Sequence, residues 1–237
     1  TWGLGFTSDF DIMGSTANAN PSWYFTFAKS LYQNAGMEPP RTPRADDNPL
    51  FFPSSTDIRQ VDQFDRYTAA AGHGFYTAAR FPETYRDRIA FVTEPTGKLV
   101  GQFDVTRVGA GFKARQLPNN LFDSADAWTS PVYAETGPDG AVWICDWYNL
   151  IVQHNPTPNP DRGGYAAKTG VGGAHENPLR DHARGRVYRV VWDQAKPATI
   201  TSLKGASTAQ LVAALGDATQ FWRLTAQRLL VEGKRTD

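Results

Sequence analysis

The chain has 237 residues, 41% of them hydrophobic and 20% charged, which is enough to bury a sizeable core. Its 24 lysines and arginines balance 24 aspartates and glutamates, and this zero formal net charge excludes an overall basic field for nucleic acid or anionic membrane. One cysteine excludes an intrachain disulfide, and the apolar setting of Cys145 predicts a buried side chain. No apolar run approaches about 18 residues, so no membrane span is predicted.

The first half of the chain is predicted to hold short strands and one long insertion. Abundant glycine, proline and aromatic residues favour a turn-rich β protein. Residues 2–6 and 12–15 are predicted to be paired strands around a turn. Between residues 34 and 57, clustered prolines and charges predict a long loop, because compact domains rarely hold unstructured stretches of that length without a reason.

The second half gives a clearer β signal. RIAFVT (88–93), the turn EPTG (94–97) and KLVGQFDV (98–105) predict a hairpin. Residues 132–154 repeat the pattern, with strands predicted in VYAET, AVWICDW and LIVQH around the turn GPDG (137–140). GRVYRVVW (185–192) predicts a final strand. Repeated antiparallel strands in units of about 40 to 50 residues are typical of β-propeller blades. Residues 1–200 are therefore predicted to be a partial β-propeller.

The C-terminal segment is predicted to be helical. A capping box at residues 207–210 and a second of similar type at 217–220 each precede apolar residues three and four apart. Gly233 lies where a C-terminal cap belongs. Residues 207–237 thus predict a helical hairpin that starts a solenoid-like repeat. Because the β region has room for only about three blades, we expect the remaining blades upstream in a parent chain or in a partner.

Three blocks of sequence carry a resemblance to a known family. They are FPETYRDRIAFVTEPTGKLV (81–100), SPVYAETGPDGAVWICDWYNLIVQHNPTP (130–158) and NPLRDHARGRVYRV (177–190), followed by WRLTAQRLL (222–230). In this order they resemble the Pirellula-type membrane-bound dehydrogenases, whose propeller is akin to quinoprotein glucose and sorbosone dehydrogenases. The resemblance implies the C-terminal blades of a six-bladed propeller, a HEAT-type repeat after it, and a periplasmic or outer-surface location. It also implies a haem c domain outside this chain, which has no CxxCH motif.

His73 is the candidate catalytic residue. It lies between Gly72 and Gly74, and glycines allow backbone to approach a ligand closely. At a strand start facing a propeller axis, a histidine could take a proton from a sugar hydroxyl. The alternative is a histidine whose nitrogens are bonded within a turn.

The segment DWYNLIVQH supplies further candidates. Asp146 could bind a hard cation such as calcium, or it could cap a turn by accepting backbone N–H bonds. Trp147 and Tyr148 could stack on a sugar or a planar quinone, or they could fill the core. His154 could line a pocket or close a turn.

The segment LRDHARGRVYR carries three candidate cofactor-binding arginines, Arg180, Arg184 and Arg186. They could hold the carboxylates of a quinone of the pyrroloquinoline type, since guanidinium groups bind carboxylates bidentately. They could equally form ion pairs with nearby acidic residues such as Asp181. The glycine-rich segment 161–176 has no phosphate-binding spacing and is predicted to be a loop.

Two functions follow, from different classes. One is a quinone-dependent sugar or alcohol dehydrogenase that passes electrons to a haem domain outside the chain. The other is a non-catalytic propeller and helical-repeat scaffold in a larger complex, because both architectures commonly form interaction surfaces. Convergence of His73, His154 and an arginine on one axial pocket would favour the enzyme; their dispersal would favour the scaffold.

Overall fold

The chain folds as a mainly β protein in a computed structural model that describes residues 2–40, 43–47, 49–58, 64–150, 152, 181, 183–196, 198–200 and 202–235. The strands are β1 (Gly3–Phe6), β2 (Ile12–Ser15), β3 (Trp23–Tyr24), β4 (Gly72–Phe75), β5 (Ile89–Glu94), β6 (Leu99–Val108), β7 (Gly111–Gln116), β8 (Phe122–Asp123), β9 (Pro131–Thr136), β10 (Val142–Asp146) and β11 (Arg186–Val190). The helices are α1 (Lys29–Asn34), α2 (Thr208–Ala214) and α3 (Gln220–Glu232). The predicted mainly β class is confirmed.

The strands form three antiparallel sheets that follow one another along the chain. The N-terminal sheet has the order β1-β2-β3, and the C-terminal sheet pairs β9, β10 and β11 in sequence order. The middle sheet runs β4-β5-β6-β7, with β8 also paired to β6. The strands predicted at residues 2–6, 12–15, 88–93, 98–105, 132–136 and 185–192 are confirmed to within a few residues. The strand predicted in LIVQH lies mostly outside the described residues.

The middle sheet lies between the other two. Its first strand, β4, contacts β1 on one side and β9 on the other. All six residues of β5 are buried, as expected for a strand covered on both faces. Two apolar clusters fill the two interfaces. The cluster towards the N-terminal sheet includes Met13, Phe75, Val92 and Phe103, and the cluster towards the C-terminal sheet includes Phe91, Val100, Ala134 and Ile144.

Each end of this three-sheet stack presents an exposed apolar face. On the N-terminal sheet, Leu4 and Phe6 are 43% and 45% exposed. On the C-terminal sheet, alternate residues of each strand face outwards, as the two-residue period of a strand requires. These outward residues are Tyr133, Glu135, Trp143, Cys145, Val187 and Arg189. The prediction that Cys145 is buried is wrong, because it lies on the uncovered face of β10.

The proline-rich segment packs as an irregular arm along the middle sheet. Between α1 and β4 its described residues form no strand, although isolated bridges join Arg44 to Trp23 and Asp46 to Ala114. The side chain of Gln116 in β7 bonds the backbone N–H and C=O of Leu50. The arm therefore covers part of the open edge of β7, as edge strands usually require.

The two C-terminal helices contact each other, and α3 docks on the sheets. The predicted capping box at Ser207 and Gln210 is confirmed, since each side chain bonds the backbone of the other residue. The second predicted box is wrong, because the cap of α3 is Thr219 and its side chain makes no capping bond. Instead, the backbone N–H of Thr219 donates to Asp217 at 2.7 Å. Among the described residues, no helix has both the length and the apolar character to cross a membrane.

Side chains near the start of α3 fix its position at one end of the stack. The amide of Gln220 donates to the carbonyl of Thr7 at 3.0 Å, and its backbone N–H donates to the carbonyl of Thr77 at 2.9 Å. The indole of Trp222 donates to the carbonyl of Pro138 at 2.8 Å. These acceptors come from all three sheet regions, so one helix end ties the three sheets together.

Candidate functional site

His73 is fully buried between the N-terminal and middle sheets. Its Nε2 lies 3.1 Å from the hydroxyl of Ser22, and its Nδ1 has no hydrogen-bond partner among the described residues. Its ring packs against Phe75 at 5.4 Å, and Gly5 of β1 runs directly alongside it. The imidazole therefore faces an interface between two sheets.

Burial keeps this histidine neutral. Desolvation disfavours the imidazolium and lowers the pKa of His73 to about 3. The unfolded chain, in which the pKa is close to 6.5, then binds more protons than the folded chain between about pH 3 and pH 6.5. The free energy of unfolding contributed by this group is complete above pH 6.5 and is lost as the pH falls through that window.

We expect His73→Gln to flatten the acid side of the stability profile. Buried Glu94, whose pKa is raised to about 7 by desolvation, titrates in the opposite sense, so the variant must be compared with the wild type. Urea unfolding at pH 4.5, 5.5 and 6.5 should show the wild type losing about 1 kcal/mol more per pH unit than the variant. The control Ser22→Ala, which keeps the imidazole, should retain the steep slope. Equal slopes for wild type and His73→Gln would show that His73 titrates normally.

Asp146 and Arg186 form the centre of a polar cluster at one end of the C-terminal sheet. They are directly paired across β10 and β11, which brings their side chains together. Oδ1 of Asp146 accepts backbone N–H bonds from Ser130 at 2.7 Å and Tyr148 at 2.8 Å, and Oδ2 accepts from Nε of Arg186 at 2.8 Å. The carboxylate thus caps a turn and pairs with a guanidinium.

Arg186 is occupied by protein partners on each of its three nitrogens. Besides Asp146, it donates to Oδ2 of Asp126 at 2.7 Å and to the hydroxyl of Thr129 at 2.8 Å. Its guanidinium carbon also lies 4.4 Å from the centre of the Tyr148 ring, a cation–π distance. These bonds tie both ends of the segment between β8 and β9 to β11.

The two aromatic candidates have different environments. Tyr148 is half-buried, and its ring stacks with Trp128 at 5.6 Å as well as with the guanidinium of Arg186. It adopts a left-handed backbone conformation, with φ of +56°. Trp147 is 40% exposed, so it does not fill the core. Of the two, Trp147 is the side chain open to a ligand.

The remaining basic candidates do not join this cluster. Arg184 is exposed and pairs with Oδ2 of Asp181 at 2.6 Å. The carboxylate of Asp181 also accepts a bond from the backbone N–H of Arg184. The side-chain amide of Asn149 bonds both the backbone N–H and the backbone C=O of Asp181. Arg180 and His154, with the glycine-rich segment, lie outside the described residues.

Neither a calcium ion nor an anionic quinone fits the described candidates. A cation at Asp146 would face the guanidinium of Arg186 and the two N–H groups that already use the carboxylate. Within the described ranges no three His, Cys, Asp or Glu side chains are grouped as metal ligands. A carboxylate of a quinone would have to displace Asp126 and Asp146 from Arg186.

A separate cleft of about 330 Å³ opens where the first strands of the three sheets meet. Its described lining includes Leu4, Phe6, His73, Tyr133, Glu135 and Leu224. Burial, with the charge of Glu135 beside it, raises the pKa of Tyr133 to about 12, so this phenol is neutral at physiological pH. An apolar lining with one carboxylate and one phenol is the usual composition of a small-molecule pocket.

A protein-family model matches most of the chain. Residues 1–194 match the model of a domain of unknown function, DUF7133. The chain belongs to the DUF7133 family. The matched region spans all eleven strands of the three sheets and ends before the helical segment, so the family corresponds to the sheet region of the fold. No curated protein and no solved structure matches the chain.

Sequence reasoning missed two buried charged groups of this DUF7133 domain. Glu94 at the end of β5 accepts backbone N–H bonds from Thr68, Ala69 and Thr96. Lys98, in the following turn, is 2% exposed, and desolvation lowers its pKa to about 8. Both stand in TEPTGK, which looks like an ordinary exposed turn. Their burial comes from segments distant in the chain: the backbone at Thr68 and Ala69 bonds Glu94, and Phe51 lies against Gly97 of the turn.

Proposed function

We propose that the three sheets are consecutive blades of a β-propeller and that this part of the molecule acts as a non-catalytic scaffold. The blade assignment is supported by the regular order of the strands. Each sheet begins with the strand that meets the first strand of its neighbour, at β1, β4 and β9, as innermost propeller strands do. The helices α2 and α3 would then begin a helical-repeat unit docked on one end of the blades.

One observation carries the scaffold assignment: the candidate catalytic residue His73 and the candidate cofactor-binding residue Arg186 are both used within the fold. Arg186 holds Asp126, Asp146 and Thr129 together, and His73 is sealed between two sheets. A general base needs to reach the proton it takes. His73 borders the 330 Å³ cleft, but its side chain is 0% exposed and its Nε2 lies 3.1 Å from the hydroxyl of Ser22. The resemblance to the Pirellula-type membrane-bound dehydrogenases supports a periplasmic or outer-surface location for the proposed scaffold.

A dehydrogenase is the second candidate, and it is favoured by the 330 Å³ cleft where the first strands of the three sheets meet. A pocket of this size, bordered by Tyr133 and Glu135, could receive a small hydroxylated substrate. Partner domains would supply the haem. The quinone would have to bind away from the occupied Arg186, with exposed Trp147 as its stacking surface.

One titration separates the two functions. Purified chain is mixed with pyrroloquinoline quinone and calcium chloride, and tryptophan quenching is followed together with dye reduction on addition of aldoses and polyols. The scaffold predicts no saturable quenching at micromolar quinone and no sugar-dependent dye reduction. Saturable binding that Trp147→Ala weakens by tenfold or more, with dye reduction, would overturn the scaffold and support the dehydrogenase.

A further inference from the structure

The first strands of the N-terminal and middle sheets repeat a four-residue pattern. Strand β1 is GLGF and strand β4 is GHGF. Because side chains alternate between faces, both glycines of each strand face the next sheet, and the other two residues face the previous sheet. The pattern therefore has two complementary sides.

The glycine side of each strand lies against the backbone of the next first strand. A Cβ at Gly5 would stand 2.6 Å from the carbonyl oxygen of His73. One at Gly74 would stand 2.3 Å from the carbonyl oxygen of Ala134. Both distances are far below van der Waals contact, and the obstructing atoms belong to backbone. Only glycine permits this approach.

The side of each strand opposite its glycines is covered in β4 and exposed in β1. In β4, His73 and Phe75 are 0% and 3% exposed, because the N-terminal sheet covers them: Gly5 lies against His73, and Phe75 belongs to the apolar cluster that holds Met13. Their equivalents in β1, Leu4 and Phe6, are 43% and 45% exposed. The outer face of β1 thus matches the covered face of β4, but no strand of the described chain covers it.

We propose that the outer face of β1 binds another antiparallel sheet whose first strand presents Gly-x-Gly to Leu4 and Phe6. This rests on the proposed arrangement of the sheets as blades, and it specifies the partner of one end. A second copy of this chain does not supply that strand. Its free first strand, β9, presents Tyr133 and Glu135 where the other first strands present glycine.

The test is to give the chain the missing glycines. The double variant Y133G/E135G converts the outer face of β9 into Gly-x-Gly, which should allow it to seat on β1 of another copy. Size-exclusion chromatography with light scattering should find the wild type at the 26.1 kDa of one chain and the variant at twice that mass. We expect the dimer dissociation constant of the variant to fall at least tenfold below that of the wild type.

Two controls make the result specific. Y133A/E135A removes the same large side chains but keeps each Cβ, so it should remain monomeric. L4D added to Y133G/E135G should abolish the dimer. Thermal melting confirms that each variant is folded, and if the double variant does not fold, Tyr133→Gly alone is measured against Tyr133→Ala.

Three outcomes would overturn the proposal: equal dimerisation of the alanine and glycine variants, a folded glycine variant that stays monomeric, or a wild-type dimer that Leu4→Asp dissociates. None of these would touch the stacking of the three sheets themselves. That arrangement is tested separately by thiol accessibility of the middle sheet, so failure here and failure of the blade assignment are distinguishable.

Discussion

Gly74→Ala should destabilise the protein by about 3 kcal/mol, although it adds only one methyl group to a strand. The new Cβ would stand 2.3 Å from the carbonyl oxygen of Ala134 in β9. That atom belongs to a strand paired with β10, so it cannot turn aside as a flexible side chain would. Relief requires the middle and C-terminal sheets to separate, which weakens the apolar packing between them.

Gly185→Ala is the matched control for this substitution. Gly185 lies just before β11, and the nearest atom to an added Cβ is the carbonyl oxygen of Asp146 at 3.5 Å, an ordinary contact. Urea unfolding of both variants should give a change within about 0.5 kcal/mol for Gly185→Ala. If the two substitutions had the same small effect, β4 and β9 would not approach as closely as described.

Arg186→Ala should also destabilise the protein strongly, by about 2 to 4 kcal/mol. The substitution leaves the carboxylate of Asp146, whose side chain is fully buried, without its cation, and it frees Asp126. We place the loss below the upper range for buried pairs because the Arg186 side chain is 32% exposed, so solvent screens part of the interaction. Thermal or urea unfolding at pH 7 measures the loss.

Arg184→Ala provides the comparison from the same segment. Arg184 also pairs with an aspartate, Asp181, but its side chain is 72% exposed, and exposed pairs contribute about 0 to 1 kcal/mol. A loss for Arg186→Ala no larger than the loss for Arg184→Ala would mean that the Asp146 cluster does not stabilise the sheet. It would also reopen Arg186 as a residue free to bind an anionic ligand.

The strands and the capping box at Ser207 could be predicted from the sequence because local patterns determine them. Apolar runs bounded by turn residues placed β5, β6 and β10, and the box needs only two residues three apart. Cys145 was assigned wrongly because β10 carries apolar residues on both faces, so composition alone could not say which face is covered. The GLGF and GHGF repeat was available in the sequence and would have indicated two equivalent first strands.

The candidate site could be predicted only in part, because its contacts depend on pairings between distant segments. The bond between Asp146 and Arg186 arises from the register of β10 with β11, which are joined through a long segment that holds Arg180 and His154. The burial of His73 depends on β1, about 70 residues earlier in the chain. Flanking glycines suggested room for a ligand, but at this position they allow close approach of a neighbouring strand.

Thiol accessibility of β5 tests most directly whether the middle sheet is enclosed by the other two. Single cysteines are placed at successive positions, Ala90→Cys and Phe91→Cys, in a Cys145→Ser background, and their reaction with Ellman's reagent is followed in the folded protein. Native Cys145 is the exposed reference. Because both faces of β5 are covered, neither new cysteine should react until the protein unfolds. Reaction of either one at the rate of Cys145 would contradict the three-sheet stack.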